Sequence, residues 1–194
     1  MFSRENEDAL AAPEKMHITH ISAHFQTFVA YSAGPQAVVL MGKFNTDDSL
    51  PVPAPHLRTP LKPIVHRNLQ YQSVISVVLG DYHYGALTAM GKLLTWGAYS
   101  KGALGLGNPI DIPPGQPGGF QNEQHRQAVI ARGGWLVATP PEVQEPVEVR
   151  FDHGEKKREK YCFAATAAGW HTGALVIDLE VCTIRTMTRE LACR

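Results

Sequence analysis

Residues Val74 to Gly107 read VISVVLGDYHYGALTAMGKLLTWGAYSKGALGLG, which is three short apolar segments separated by glycine-containing turns. Valine, leucine, alanine and threonine suit packed strands, and glycine marks positions where the backbone turns or closely approaches another segment. Met90 and Gly91 form a tight turn between the second and third segments, and Trp96-Gly97 ends the third. The stretch therefore predicts an antiparallel sheet of at least three strands.

The same pattern returns twice in the chain, which makes it a repeat. Residues 171–175 read HTGAL and match His83 to Leu87, and residues 16–42 carry a weaker copy in which Gln26 takes the place of the histidine. Proline-rich phrases at 60–65 and 140–147 predict short outer strands, because proline cannot donate to a ladder and is confined to sheet edges. Internal repeats with a period of about 50 residues are typical of propellers and solenoids.

The second copy carries a recognisable motif. Residues 80–97 fit G-D-x-H-x-x-A-L-T-x-x-G-x-L-x-x-W-G, residues 102–107 fit G-x-L-G-x-G, and together they resemble the repeat of the regulator-of-chromosome-condensation family. The resemblance implies an all-β fold, a β-propeller of four-stranded antiparallel blades that usually closes a ring of about seven. Two repeats and the start of a third predict a partial propeller, so we expect a piece of a longer protein whose open strand edges favour self-association.

The repeats divide the chain into segments. We predict a flexible lead-in at 1–15, repeats at 16–59, 60–139 and 140–178, and a non-repeat tail at 179–194. An insertion at 108–139 lengthens the second repeat, and within it Asn122 to Arg132 predicts a short helix stopped by two glycines. Trp96 and Trp170 are predicted to pack in the interior, and Cys162 is predicted to be a buried thiol.

The composition excludes several functional classes. Eighteen basic and 18 acidic residues cancel, so no electrostatic attraction to nucleic acid or to an anionic membrane is expected. No apolar run has the length of a membrane span, and the start of the chain lacks the apolar core of a signal peptide. Three cysteines without a C-x-x-C pair fit a reducing compartment, which predicts a cytoplasmic or nuclear protein.

His83 and His171 occupy the same position in two repeats, beside a tight turn. One interpretation is structural, because a histidine at such a place can tie down the backbone with its ring N–H. The other is functional: in the family this turn lies toward one rim of the propeller, which makes Asp81, His83 and His171 candidate partner-binding residues. Neither copy places a nucleophile beside its histidine in a recognisable order, so no catalytic residue is predicted.

A second group of histidines lies near the start of the first copy. His17, His20 and His24 would suit a metal if they shared one face of a helix. The apolar residues among them fit a strand instead, in which His17 and His20 face opposite sides. We therefore predict neither a metal nor a cofactor.

These features favour a non-enzymatic protein–protein interaction module, with loops and the 108–139 insertion forming the contact surface. Two alternatives stay open. One is guanine-nucleotide exchange on a small GTPase, which the founding member of the family performs. The other is the substrate-binding part of an SCF ubiquitin-ligase adaptor, because the segment from Cys162 to Glu180 resembles fungal SCF-associated factors.

Overall fold

The computed structural model describes residues 17–24, 27–43, 64–98, 102–134, 139–151 and 159–179. They form ten β-strands, a 3₁₀ turn and one α-helix, arranged in three antiparallel sheets. The predicted lead-in and all of the predicted tail except Leu179 lie outside the described residues. The all-β fold predicted from the sequence is confirmed.

The first sheet contains four strands in sequential order: β1 (His20–His24), β2 (Thr27–Tyr31), β3 (Val39–Lys43) and β4 (Ile64–Val65). A 3₁₀ turn follows β4 at Arg67–Leu69. The outer strand β4 pairs with β3, so the proline-rich phrase at 60–65 leads into the strand that completes the first sheet.

The second sheet repeats this order with β5 (Val74–Leu79), β6 (His83–Thr88), β7 (Leu93–Gly97) and β8 (Val143–Glu148). All six residues of β6 are buried, which is unusual for a strand with two faces. They are buried because the other two sheets cover both faces of this strand. The second sheet is therefore the middle one of three.

Two apolar clusters hold the three sheets together. One joins the first and second sheets and includes Val29, Val39, Tyr84, Ala86 and Trp96. The other joins the second and third sheets through four buried side chains: Leu87, Leu93, Val149 and Cys162. Strand β5 also contacts both β1 and the first strand of the third sheet, so the first strands of the three sheets lie side by side. This face-to-face stacking is how neighbouring propeller blades pack.

The third sheet consists of β9 (Lys160–Ala168) and β10 (His171–Asp178). Cys162 is 1% exposed on the side that packs against the second sheet, which confirms the predicted buried thiol. Burial raises the pKa of this thiol. Phe163, Leu175 and Ile177 are exposed, so this sheet is covered less completely than the middle one.

The insertion after β7 folds into a compact unit. The segment that leads into it is tied to the sheet by a buried hydrogen bond of 2.7 Å, which the Thr95 hydroxyl donates to the carbonyl oxygen of Leu104. The helix predicted in this segment is confirmed as α1 (Glu123–Ala131). It begins there because the Asn122 side chain accepts a hydrogen bond from the His125 N–H and so caps the first turn. This helix has nine residues, and no helix in the described ranges has the length and apolarity to cross a membrane.

Candidate functional site

Three described segments approach one another at the same end of the stacked sheets. They are the end of β1, the β5–β6 turn and the β9–β10 turn. Because Gln26, His83 and His171 are equivalent in the repeat, the residues two places earlier, His24, Asp81 and Gly169, are equivalent as well. We call these segments the inner-turn rim: His24, residues 80–83 and residues 169–172.

Asp81 links all three sheets at this rim. Its carboxylate accepts a hydrogen bond of 2.7 Å from Nε2 of His24 in the first sheet. Its backbone N–H donates to the carbonyl oxygen of Gly169 in the third sheet, at 2.9 Å. The Asp81 side chain remains 31% exposed, so the residue both joins the blades and stays accessible from solvent. The sequence indicated Asp81 as a candidate contact residue, but it did not reveal these partners.

His83 is buried, in contrast to Asp81. Its ring is 0% exposed, packs over the backbone of Gly80, and has its Nε2 atom 2.8 Å from the Thr172 hydroxyl in the third sheet. Burial lowers the pKa of His83, and the carbonyl of His171 and the charge of Asp81 offset this only in part. The neutral ring therefore bridges two blades. The structural interpretation given above was different, because it had the ring bond to the backbone of its own turn. Since the ring is buried, it offers no surface to a partner.

His171 is exposed, and two aromatic side chains next to it are exposed as well. Tyr82 is 51% and Trp170 57% exposed, and their ring centroids lie 5.4 Å apart in an edge-to-face arrangement. The prediction that Trp170 packs in the interior is wrong. Trp170 lies in a turn, at the repeat position of Tyr82. Trp96 lies on β7, an inner strand of the second sheet, and is 3% exposed.

The sequence carries a signal for this aromatic pair beyond the motif itself. The residue before Gln26, His83 and His171 is aromatic in every copy: Phe25, Tyr82 and Trp170. A large aromatic side chain at the tip of a tight turn has few neighbours to cover it, so repetition at that position indicates a surface role. Phe25 lies outside the described residues.

The rim does not have the arrangement of a hydrolytic triad. The Thr172 hydroxyl is within hydrogen-bonding distance of His83, but the Asp81 carboxylate bonds to His24 and therefore does not orient the His83 ring. Over the ranges that the structure covers, no group of three or more His, Cys, Asp or Glu side chains has the geometry to hold a metal ion. The chemical groups at this rim are two aromatic rings, an imidazole and a carboxylate.

Solved structures with this arrangement of sheets identify the fold. Prp20p from Saccharomyces cerevisiae, in a study of its binding to Gsp1p and histones, matches with a TM-score of 0.54 and 16% identity over 89% of this chain and 34% of that one. Yeast RCC1 (Prp20) bound to Kap60 matches with a TM-score of 0.53 and 16% identity over 89% of this chain and 32% of that one. The three sheets have the fold of neighbouring propeller blades in these proteins. The predicted resemblance is confirmed.

The propeller chain also has a curated relative. SCF-associated factor 1 from Saccharomyces cerevisiae is 37% identical over 108 residues, which are 55% of this chain and 14% of that protein. The chain thus spans about one seventh of the relative's length. No family model matches the chain.

Proposed function

We propose that the chain is a non-enzymatic protein-interaction module that contacts its partner through the inner-turn rim. The exposed Tyr82–Trp170 pair carries the proposal. Tyrosine and tryptophan are enriched among the residues that dominate protein interfaces, because they bury a large area at a small cost in side-chain entropy. An exposed pair of them on a rigid turn is a surface that a protein partner would desolvate with a gain in free energy.

The neighbouring residues support this role in two different ways. Asp81 and His171 stand beside the pair and offer a carboxylate and an imidazole for polar contacts. His83 is assigned a positioning role, because its buried contact with Thr172 fixes the turn that carries Tyr82. A rigid turn improves affinity, since little order has to be gained on binding.

The test compares two variants of the full chain as bait for partners. One replaces both rim aromatics (Tyr82→Ser with Trp170→Ser), and the control is Met90→Ser, which removes an even more exposed apolar side chain from the turn at the opposite end of β6. Partners captured by the unmodified chain are purified and their affinity is measured by calorimetry. Loss of two aromatic anchors should weaken binding at least tenfold, while Met90→Ser should leave it unchanged.

Retention of affinity in the double rim variant would refute the proposal, and so would an equal loss in the control. Capture of no partner by the unmodified chain would refute it as well. Circular dichroism of both variants checks that the sheets remain folded, so that a loss of binding reports on the surface alone.

A second function is favoured by one specific observation, the 37% identity to SCF-associated factor 1. In that case the chain is part of the substrate-binding region of an SCF ubiquitin-ligase adaptor. A partner captured by this chain should then become ubiquitinated in a reconstituted SCF reaction that contains the chain as part of its adaptor. The same partner should not become ubiquitinated when the rim aromatics are replaced. Guanine-nucleotide exchange stays a prediction, to be tested by nucleotide release from a panel of small GTPases.

A further inference from the structure

A cleft of about 340 Å³ lies at the outer edge of the second sheet. One wall is the insertion segment from Gly115 to Gln121, and the other is the segment from Pro141 to Glu145, which enters and begins β8. Strands β6 and β7 separate this cleft from the inner turn of the same sheet.

The cleft follows the free edge of a strand. Five consecutive residues, 141–145, line it, and the last three of them begin β8. Strand β8 pairs with β7 on one side, with a register shift between Val143 and Val147, and among the residues that the structure covers no strand pairs with its other side. Backbone N–H and C=O groups at such an edge are available to an added strand.

The opposite wall is already formed and rigid. The N–H of Gly115 donates to the carbonyl oxygen of Phe120 at 2.8 Å, and the N–H of Gly119 donates to Gln116 at 3.0 Å. Phe120 is 0% exposed, and any side chain at Gly119 would collide with Ile112. A preformed wall of this kind does not have to be ordered when a ligand enters.

The side chains of the cleft select the kind of ligand. Pro117, Phe120, Pro141 and Val143 give it an apolar floor, while its charged groups are Glu142 and Glu145, with no lysine or arginine.

Glu145 is held in place, because Oε2 accepts a hydrogen bond of 2.7 Å from the Asn68 side chain and lies 3.8 Å from Nδ1 of His66. Two carboxylates beside an apolar floor complement an apolar residue flanked by a cation.

We propose that this cleft binds a short extended peptide from a protein partner, and that the peptide carries both lysine or arginine and apolar residues. The peptide runs along residues 142–145 and places basic side chains on both of its faces, because Glu142 and Glu145 are three positions apart and so lie on opposite faces of an extended segment. Pro146 ends the ladder, because its ring nitrogen has no hydrogen to donate. The proposal rests on the proposed function only in that the partner is a protein, since the two surfaces share no residue.

The experiment selects linear hexapeptides from a phage-displayed library on the immobilised full chain and measures the best peptide by fluorescence anisotropy. The matched variants are Gln144→Lys, inside the cleft, and Gln124→Lys, on the exposed face of α1, which add the same charge to exposed glutamines. Selected peptides should carry both basic and apolar residues. Gln144→Lys should weaken binding about tenfold and Gln124→Lys should not.

Two further measurements separate this site from others. N-methylation of the central peptide bonds should abolish binding, because an added strand needs those N–H groups. The rim variant Trp170→Ser should bind the peptide normally, so that failure of the rim proposal leaves this result intact. Enrichment of no peptide, enrichment of acidic ones, equal binding by Gln144→Lys, or loss of binding in Trp170→Ser would each overturn the proposal.

Discussion

Replacing Gly97 with alanine should destabilise the protein by about 2–5 kcal/mol. Gly97 ends β7 with a φ of +106°, a conformation that costs an L-residue about 1–2 kcal/mol. A Cβ atom there would lie 2.6 Å from the carbonyl oxygen of Tyr82 and 2.8 Å from Cα of His83. These are backbone atoms of the inner turn and cannot move aside independently, so the overlap adds about 1–3 kcal/mol.

Gly102→Ala is the matched control. Gly102 also has a positive φ, +92°, but a Cβ atom there would meet nothing within 4 Å. The backbone strain of alanine at position 102 is offset by about 0.4–1 kcal/mol, because alanine restricts the unfolded chain more than glycine does. We therefore expect Gly102→Ala to cost about 1 kcal/mol or less.

Urea unfolding followed by far-ultraviolet circular dichroism measures both variants. The midpoint of unfolding should fall much further for Gly97→Ala than for Gly102→Ala, at an unchanged slope against urea. Equal losses of stability in the two variants would refute the reasoning, because they would show that β7 and the inner turn are not in contact at Gly97.

Three other predictions follow from individual contacts. Because burial lowers the pKa of His83, the unfolded chain takes up a proton at a higher pH than the folded chain does. The free energy of unfolding should therefore decrease as the pH is lowered through about 6.5. The variant His83→Asn should flatten this pH dependence, measured as urea midpoints at several pH values. Cys162 should react with a thiol reagent slowly in the folded protein and quickly in urea, measured with the other two cysteines replaced by serine. Thr95→Val should cost about 1–3 kcal/mol in urea unfolding, because it leaves the buried carbonyl of Leu104 without its donor, while Thr95→Ser keeps the hydroxyl and should cost less.

Each of these predictions has a contrary outcome. An unchanged acid dependence in His83→Asn would mean that this ring does not control stability. Rapid labelling of Cys162 under native conditions would place it at the surface. A Thr95→Val variant as stable as Thr95→Ser would mean that the hydroxyl does not anchor the insertion.

The strands and turns of the second sheet were predictable because their information is local. Gly91 has a φ of +74°, as the turn there requires, and the apolar segments on either side became β6 and β7. The helix in the insertion was predictable for the same reason, since Asn122 caps its start and two glycines follow its end. The repeat boundaries and the roles of the rim residues stay predictions.

Contacts between sheets were not predictable from the sequence. His83 and Thr172 are 89 residues apart, and His24 and Asp81 are 57 apart, so their pairing depends on how the blades stack. The exposure of Trp170 has the same origin, because the residue type favours burial and only its place at the tip of a turn prevents it. The cleft beside β8 likewise exists only once the insertion has folded back onto the outer strand.

The stacking of the sheets as neighbouring blades is tested most directly by proton–proton distances in solution. Nuclear Overhauser effects should connect the α-protons of Gly91 with the ring of Tyr161, because the Cys162 N–H donates to the Gly91 carbonyl oxygen at 2.9 Å and brings the second and third sheets together. The ring of His83 should also show effects to the methyl group of Thr172. Absence of both sets, together with effects that place β9 beside β5 or β8 in one continuous sheet, would contradict the blade arrangement.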